Sequence, residues 1–120
     1  MQYRRGAIVL VPFPFTDLSQ HKTRPAVVVS PEDINAHSPD IILAAISSTT
    51  PHAPNSLELV LYQTDSSFKA TGLRVSSVIK AAKLITMKQS LIYLTLGQLA
   101  DETLRELDKR LERAIGLRSE

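Results

Sequence analysis

Short apolar runs alternate with polar, proline-bearing breaks over most of the chain, and the period changes only near its end. Residues 7–13 (AIVLVPF) follow Gly6 and are rich in β-branched side chains, which suit the pleated surface of a strand. Residues 25–30 (PAVVVS) are continuously apolar up to Pro31, as in a strand covered on both faces. Residues 41–48 (IILAAISS) predict a third strand whose apolar character gives way to hydroxyls, followed by Thr49, Thr50 and Pro51. Residues 57–62 (LELVLY) predict a fourth, with Glu58 its one charge. Thr71-Gly72 predicts a turn, 73–79 and 83–87 two further short strands, and 91–96 a last one.

From residue 101 the period becomes helical. In DETLRELDKRLERAIG, Leu104, Leu107, Leu111, Ala114 and Ile115 recur on one face. Asp101 and Glu102 stand in the first turn and Arg110 and Arg113 near the last, each favourable to the helix dipole. Gly116 fits a left-handed stop. Leu99 and Leu104 have the spacing of a hydrophobic staple if Ala100 is the N-cap; Ala is a poor cap, and Asp101 is the alternative. The pattern predicts a mainly β (α+β) chain: a curved, partly closed antiparallel sheet with one amphipathic helix packed on it.

A length of 120 residues fits one domain spanning 1–120. There is no cysteine, which excludes a disulfide framework, a thiolate metal site and a thiol nucleophile. No apolar run approaches the roughly 18 residues of a membrane span. The opening MQYRRGAIVLVPFPF places two arginines before an apolar run, but Pro12 and Pro14 break it and no small-residue cleavage site follows. It reads as a strand, and a cytoplasmic protein without membrane association is expected. His21, His37 and His52 are scattered without metal-ligand spacing, and no glycine-rich phosphate loop or GxSxG elbow occurs, so neither a metal nor a cofactor is expected. Asp17 and Glu58 are the plausible acids of the sheet half, and neither has a partner by spacing.

The formal net charge is only +2, but its distribution is uneven. Residues 66–100 contain no acid, yet carry Lys69, Arg74, Lys80, Lys83 and Lys88. Such a stretch attracts phosphates, or simply solvates sheet edges. Arg24 begins one predicted strand, Ser47, Ser48, Thr49 and Thr50 close another, and Lys80 and Lys83 flank a third. A guanidinium forks onto phosphate with two parallel hydrogen bonds, and neighbouring hydroxyls bond the remaining oxygens. That set suits phosphodiester transfer, where charge builds on the non-bridging oxygens. SSTTP is equally readable as a turn-rich loop.

The order of these motifs resembles a known family. Gly6-Ala7-Ile8-Val9-Leu10-Val11 is followed by a polar loop and by Arg24-Pro25-Ala26-Val27-Val28; then come an apolar strand ending in hydroxyls, SVIKAAKLITMKQSLI, and a terminal amphipathic helix. Nearly the whole chain is similar to the MazF/PemK toxin endoribonucleases of bacterial type II toxin–antitoxin systems. The resemblance implies an SH3-like, partly open barrel of the CcdB/MazF kind, a homodimer, and an antitoxin partner with an acidic segment. It implies sequence-specific, metal-independent cleavage of single-stranded RNA by 2′-hydroxyl attack, leaving a 2′,3′-cyclic phosphate and a 5′-hydroxyl. Arg24 matches the family arginine and Ser47 its strand-end hydroxyl residue, with Ser48 and Thr49 beside it. Lys22, Lys80 and Lys83 are then expected to bind RNA. Ala82 stands where many members carry an acid, so no carboxylate base is identified, and His21 is the candidate in its place. Two alternatives remain open: a non-catalytic toxin of the gyrase-poison class, and a degenerate RNA-binding relative.

Overall fold

The computed structural model describes residues 3–14 and 21–117, the side chains of Pro14 and His21 excepted. Six strands, β1 (Ala7–Pro14), β2 (His21–Val28), β3 (Asp40–Ser47), β4 (Glu58–Leu61), β5 (Ser77–Lys88) and β6 (Leu94–Gln98), form one sheet in the order β4-β5-β3-β2-β1-β6. Every pairing is antiparallel. β4 and β6 are the two edges, so the barrel is open between them. A short helix α1 (Glu32–His37) joins β2 to β3, and α2 (Asp101–Ala114) follows β6.

Strand alternation gives each face of the sheet its own apolar cluster. Ile8, Val27, Ala44 and Ile79 pack with Leu99 and with Leu107 of α2. Val9, Val11, Ala26, Val28, Leu43 and Met87 form the second cluster. Ala26, Val27 and Val28 are fully buried, as the unbroken apolar run of β2 implied. Leu104, Leu111 and Ala114 line the inner face of α2. Ile115 instead lies past the last turn and is 57% exposed. Ala100 is the N-cap, without a side-chain capping bond. At the other end Gly116 takes φ +74°; its N–H reaches Arg113 O, and Leu117 N–H reaches Glu112 O, closing a Schellman motif.

Four predicted strands differ from the observed ones. β2 begins at His21, because residues 21–25 continue the hairpin with β1 through the pairs Pro14↔His21, Pro12↔Thr23 and Leu10↔Pro25. Arg24 is therefore the fourth residue of β2, not its first. The two strands over 73–79 and 83–87 are one strand, β5, that starts at Ser77. β6 starts at Leu94, after a 3₁₀ turn over Gln89–Leu91. α1 lacks a helical apolar repeat and was not legible from periodicity. It is anchored through buried Asn35, whose Nδ2 donates to Tyr3 O and Ser30 O, both at 3.0 Å.

The prolines of the hairpin explain its shape. Tyr93 N–H bonds Leu10 O, so even-numbered residues of β1 face β6. Pro12 and Pro14 continue that series beyond the last β1–β6 pair, Leu10↔Leu94, where no N–H is required. On β2, Val29 N–H bonds Ile42 O, so odd-numbered residues face β3. Pro25 is next in that series after Val27 and has no N–H to give. The β2–β3 ladder ends at the adjacent pair, Ala26↔Ala45.

Candidate functional site

The β2–β3 pairing ends at Ala26↔Ala45, and an open cleft of about 430 Å³ lies beyond it. Arg24 enters it from β2, and Ser47, Ser48 and Thr49 from the end of β3. Lys80 and Lys83 come from β5. The structure thus brings together six of the residues singled out in the sequence.

The two lysines share the cleft because β5 is irregular. Residues three apart on a regular strand point to opposite faces. Here Ala45 pairs with Lys80 while Ala44 pairs with Leu84, so β5 carries residues 81–83 as extra length opposite a single step of β3. This bulge re-aims the chain and turns Lys83 to the side of Lys80. Ala82 lies in the bulge and is exposed.

The hydroxyl of Ser47 has a defined role in the local backbone. Thr49 N–H donates to Ser47 Oγ at 3.1 Å, which fixes the turn out of β3. The bond occupies a lone pair of the oxygen and leaves the O–H hydrogen as a donor. Ser47 is therefore placed to donate to an anion.

Among the described residues no carboxylate lines the cleft. Glu58 is the cross-strand partner of Lys80, but its Oε1 accepts Asn55 N–H at 3.0 Å. Among the described residues Lys80 and Lys83 form no ion pair. Lys22 is exposed on β2 opposite Phe13 and is not among the cleft residues. His21 pairs with Pro14 at the start of β2; its side chain, like Asp17, lies outside the described residues. Among the described residues no three His, Cys, Asp or Glu side chains gather as a metal site, and no helix is long and apolar enough to cross a membrane.

Arg24 also borders a second cleft, of about 310 Å³, which carries Arg74. The sequence marked Arg74 only as one basic residue among five. Its placement beside Arg24 depends on the fold of residues 69–77, for which no local pattern speaks.

Residues 4–115 match the family model of the PemK-like, MazF-like toxins of type II toxin–antitoxin systems. Several solved structures share the fold. An endoribonuclease from a mycobacterial species, solved in complex with its cognate antitoxin, is 18% identical with a TM-score of 0.77, over 98% of this chain and 99% of that one. The MazF of Deinococcus radiodurans is 21% identical with a TM-score of 0.75, over 97% and 98%. The Mycobacterium tuberculosis toxin MazF-mt6 is 17% identical with a TM-score of 0.74, over 94% and 99%.

Proposed function

The chain belongs to the PemK-like, MazF-like toxin family of type II toxin–antitoxin systems, and from that premise we propose that it is an endoribonuclease that cuts single-stranded RNA at short sequences. The observation that carries this reading is the cleft itself: Arg24, Lys80 and Lys83 converge with the Ser47 hydroxyl, and among the described residues no acid lines the space. Such a site favours a phosphodiester over a neutral or cationic ligand.

In the proposed reaction the RNA 2′-oxygen attacks the adjacent phosphorus, and the bond from phosphorus to the 5′-oxygen breaks. The products are a 2′,3′-cyclic phosphate and a 5′-hydroxyl. The attacking hydroxyl loses its proton to a base, and the departing 5′-oxygen takes one from solvent water. Arg24 forks onto the non-bridging oxygens as their charge rises, and the Ser47 O–H donates to one of them. Lys80 and Lys83 hold the neighbouring backbone, with Ser48 and Thr49 as further donors and Lys22 on the approach along β2. His21 is the base in this scheme. The positive charge of these side chains supplies the electrostatic stabilisation, so the reaction is proposed to run without a metal.

The reading includes a homodimer and an antitoxin whose acidic segment covers the cleft, as in a cytoplasmic toxin–antitoxin pair. Ile42 and Leu84, on neighbouring strands, are both more than a third exposed and offer apolar surface for a second copy. The test is to incubate the purified chain with a long unstructured RNA in the presence of a chelator and to determine the fragment ends. Fragments with 5′-hydroxyl ends and 2′,3′-cyclic phosphates support the proposal. Fragments with 5′-phosphates, or cleavage abolished by the chelator, contradict its chemistry. Binding without cleavage favours the degenerate RNA-binding relative, consistent with Ala82. The absence of both cleavage and RNA binding favours the gyrase-poison class.

A further inference from the structure

The second cleft differs from the first in character. Its walls are mainly apolar: Leu10, Pro25, Leu73, Val75 and Leu96 line it, and Val75 is 48% exposed. Among the described residues Arg24 and Arg74 are its charges, and no carboxylate lines it. Among the described residues Arg74 makes no hydrogen bond or ion pair.

The walls are held in place from both sides. A Cβ on Gly97 of β6 would overlap the backbone of Ala70 and Thr71, so the turn before Leu73 presses directly on that strand. Thr71 Oγ1 donates to Phe68 O at 2.6 Å and accepts Leu73 N–H at 3.1 Å. Ser77 Oγ donates to Val75 O at 2.9 Å, and Gln63 N–H donates to Ser76 Oγ at 2.9 Å. On β6, Ile8 pairs with Gly97 and Val9 with Thr95, so Leu96 is a bulged residue, re-aimed where it lines the cleft. Residues 73–76 therefore form a rigid rim.

We propose that this second cleft is a nucleotide subsite, in which the apolar walls take a base next to the phosphate held by Arg24 and the Arg74 guanidinium takes the following phosphate. Single-stranded RNA is read through unstacked bases set against apolar or guanidinium surfaces, with cations tracking the backbone. The two clefts meet at Arg24, Ile46 and Ser48, so one strand crossing Arg24 occupies both. The volume lies at the lower end of the ~300–1,000 Å³ range of small-ligand sites. The inference rests on the reading of the chain as an RNA-directed toxin and adds a specificity element to it.

The test uses 2′-O-methylated hexanucleotides of each of the four bases, which cannot undergo 2′-oxygen attack, so binding is measured apart from cleavage. The parent is expected to bind the four unequally. Arg74→Ala should weaken binding roughly tenfold at moderate salt and make the slope of log affinity against log salt shallower by about 0.7. Val75→Glu, at an exposed position, should weaken binding and reduce the preference among bases. Lys69→Ala alters a basic residue that lines neither cleft and should change nothing. Parental affinity, slope and base preference in both Arg74→Ala and Val75→Glu would overturn the subsite while leaving cleavage at Arg24 intact. Binding that depends on Arg74 in a protein that cuts no RNA would instead overturn the proposed chemistry alone.

Discussion

Lys80 and Lys83 owe their shared cleft to the three-residue bulge, and each is free of ion pairs among the described residues. Each phosphate that they neutralise contributes about −0.7 to the salt slope for single strands. The double variant Lys80→Ala, Lys83→Ala should therefore bind RNA more weakly and with a slope shallower by up to about 1.4, measured by fluorescence anisotropy across a salt series. An unchanged slope would make them solvated sheet residues. Ser47→Ala removes the donor to the non-bridging oxygen and should lower the cleavage rate by about 10²- to 10³-fold. With His21 as base, the rate should rise with pH through one step as its imidazole loses its proton. His21→Gln should then abolish the step and slow cleavage about 10²- to 10⁴-fold. An intact pH profile in that variant would leave water as the base.

At the scale of elements, Pro25 stands where the β2–β3 pairing ends, beside the site. Pro25→Ala restores an N–H directed at β3, so the ladder can extend by the pair 25↔46. The gained hydrogen bond, about 1 kcal/mol, and the lost rigidity of the unfolded chain, about 0.4–1 kcal/mol, nearly offset each other. Stability should thus change little, the amide of residue 25 should be protected from hydrogen exchange, and cleavage should fall by up to about 10²-fold as the cleft narrows. A rapidly exchanging amide and an unchanged rate would show that the pairing ends there for another cause. Helix α2 acts through packing: Leu107 is fully buried, and Leu107→Ala should cost about 2–5 kcal/mol in denaturant unfolding. On its outer face, hydrogen bonds from Lys109 first and then Arg110 hold the Glu106 carboxyl below the usual glutamate range. A lowered folded-state pKa adds stability above the unfolded-state value and loses it as pH falls through the folded one. Glu106→Gln should remove that small acid-side slope.

The core strands and α2 were legible in the sequence because periodicity reports burial directly. The extension of β2 was not, because Pro14, His21, Lys22 and Thr23 read as a loop until their pairing with β1 is known. The joining of 83–87 to the strand before it was likewise hidden, since the KAAK interruption is a bulge rather than a turn. Arg24, Ser47 and the lysines were found individually through charge, hydroxyl clustering and the family resemblance. Their convergence, and the place of Arg74, depend on the pairing order of the whole sheet.

At the scale of the whole molecule, charge is unevenly distributed although the net charge is only +2. The two clefts around Arg24 carry cations and, among the described residues, no acid, whereas on α2 the acids Asp101, Glu102, Glu106, Asp108 and Glu112 are interleaved with Arg105, Lys109, Arg110 and Arg113. An acidic antitoxin segment should therefore compete with RNA, and its association rate should fall steeply with ionic strength. Sedimentation should show a dimer at micromolar concentration; a monomer there would count against a two-subunit cleft. The central claim is that the Arg24 guanidinium stabilises the transition state of RNA cleavage, and it is tested most directly by single-turnover cleavage by Arg24→Ala. Arg24 is exposed on β2, so the variant should unfold within about 0.5 kcal/mol of the parent. Its cleavage rate should be lower by about 10²- to 10³-fold or more. A folded Arg24→Ala protein that cuts RNA at the parental rate would contradict the account.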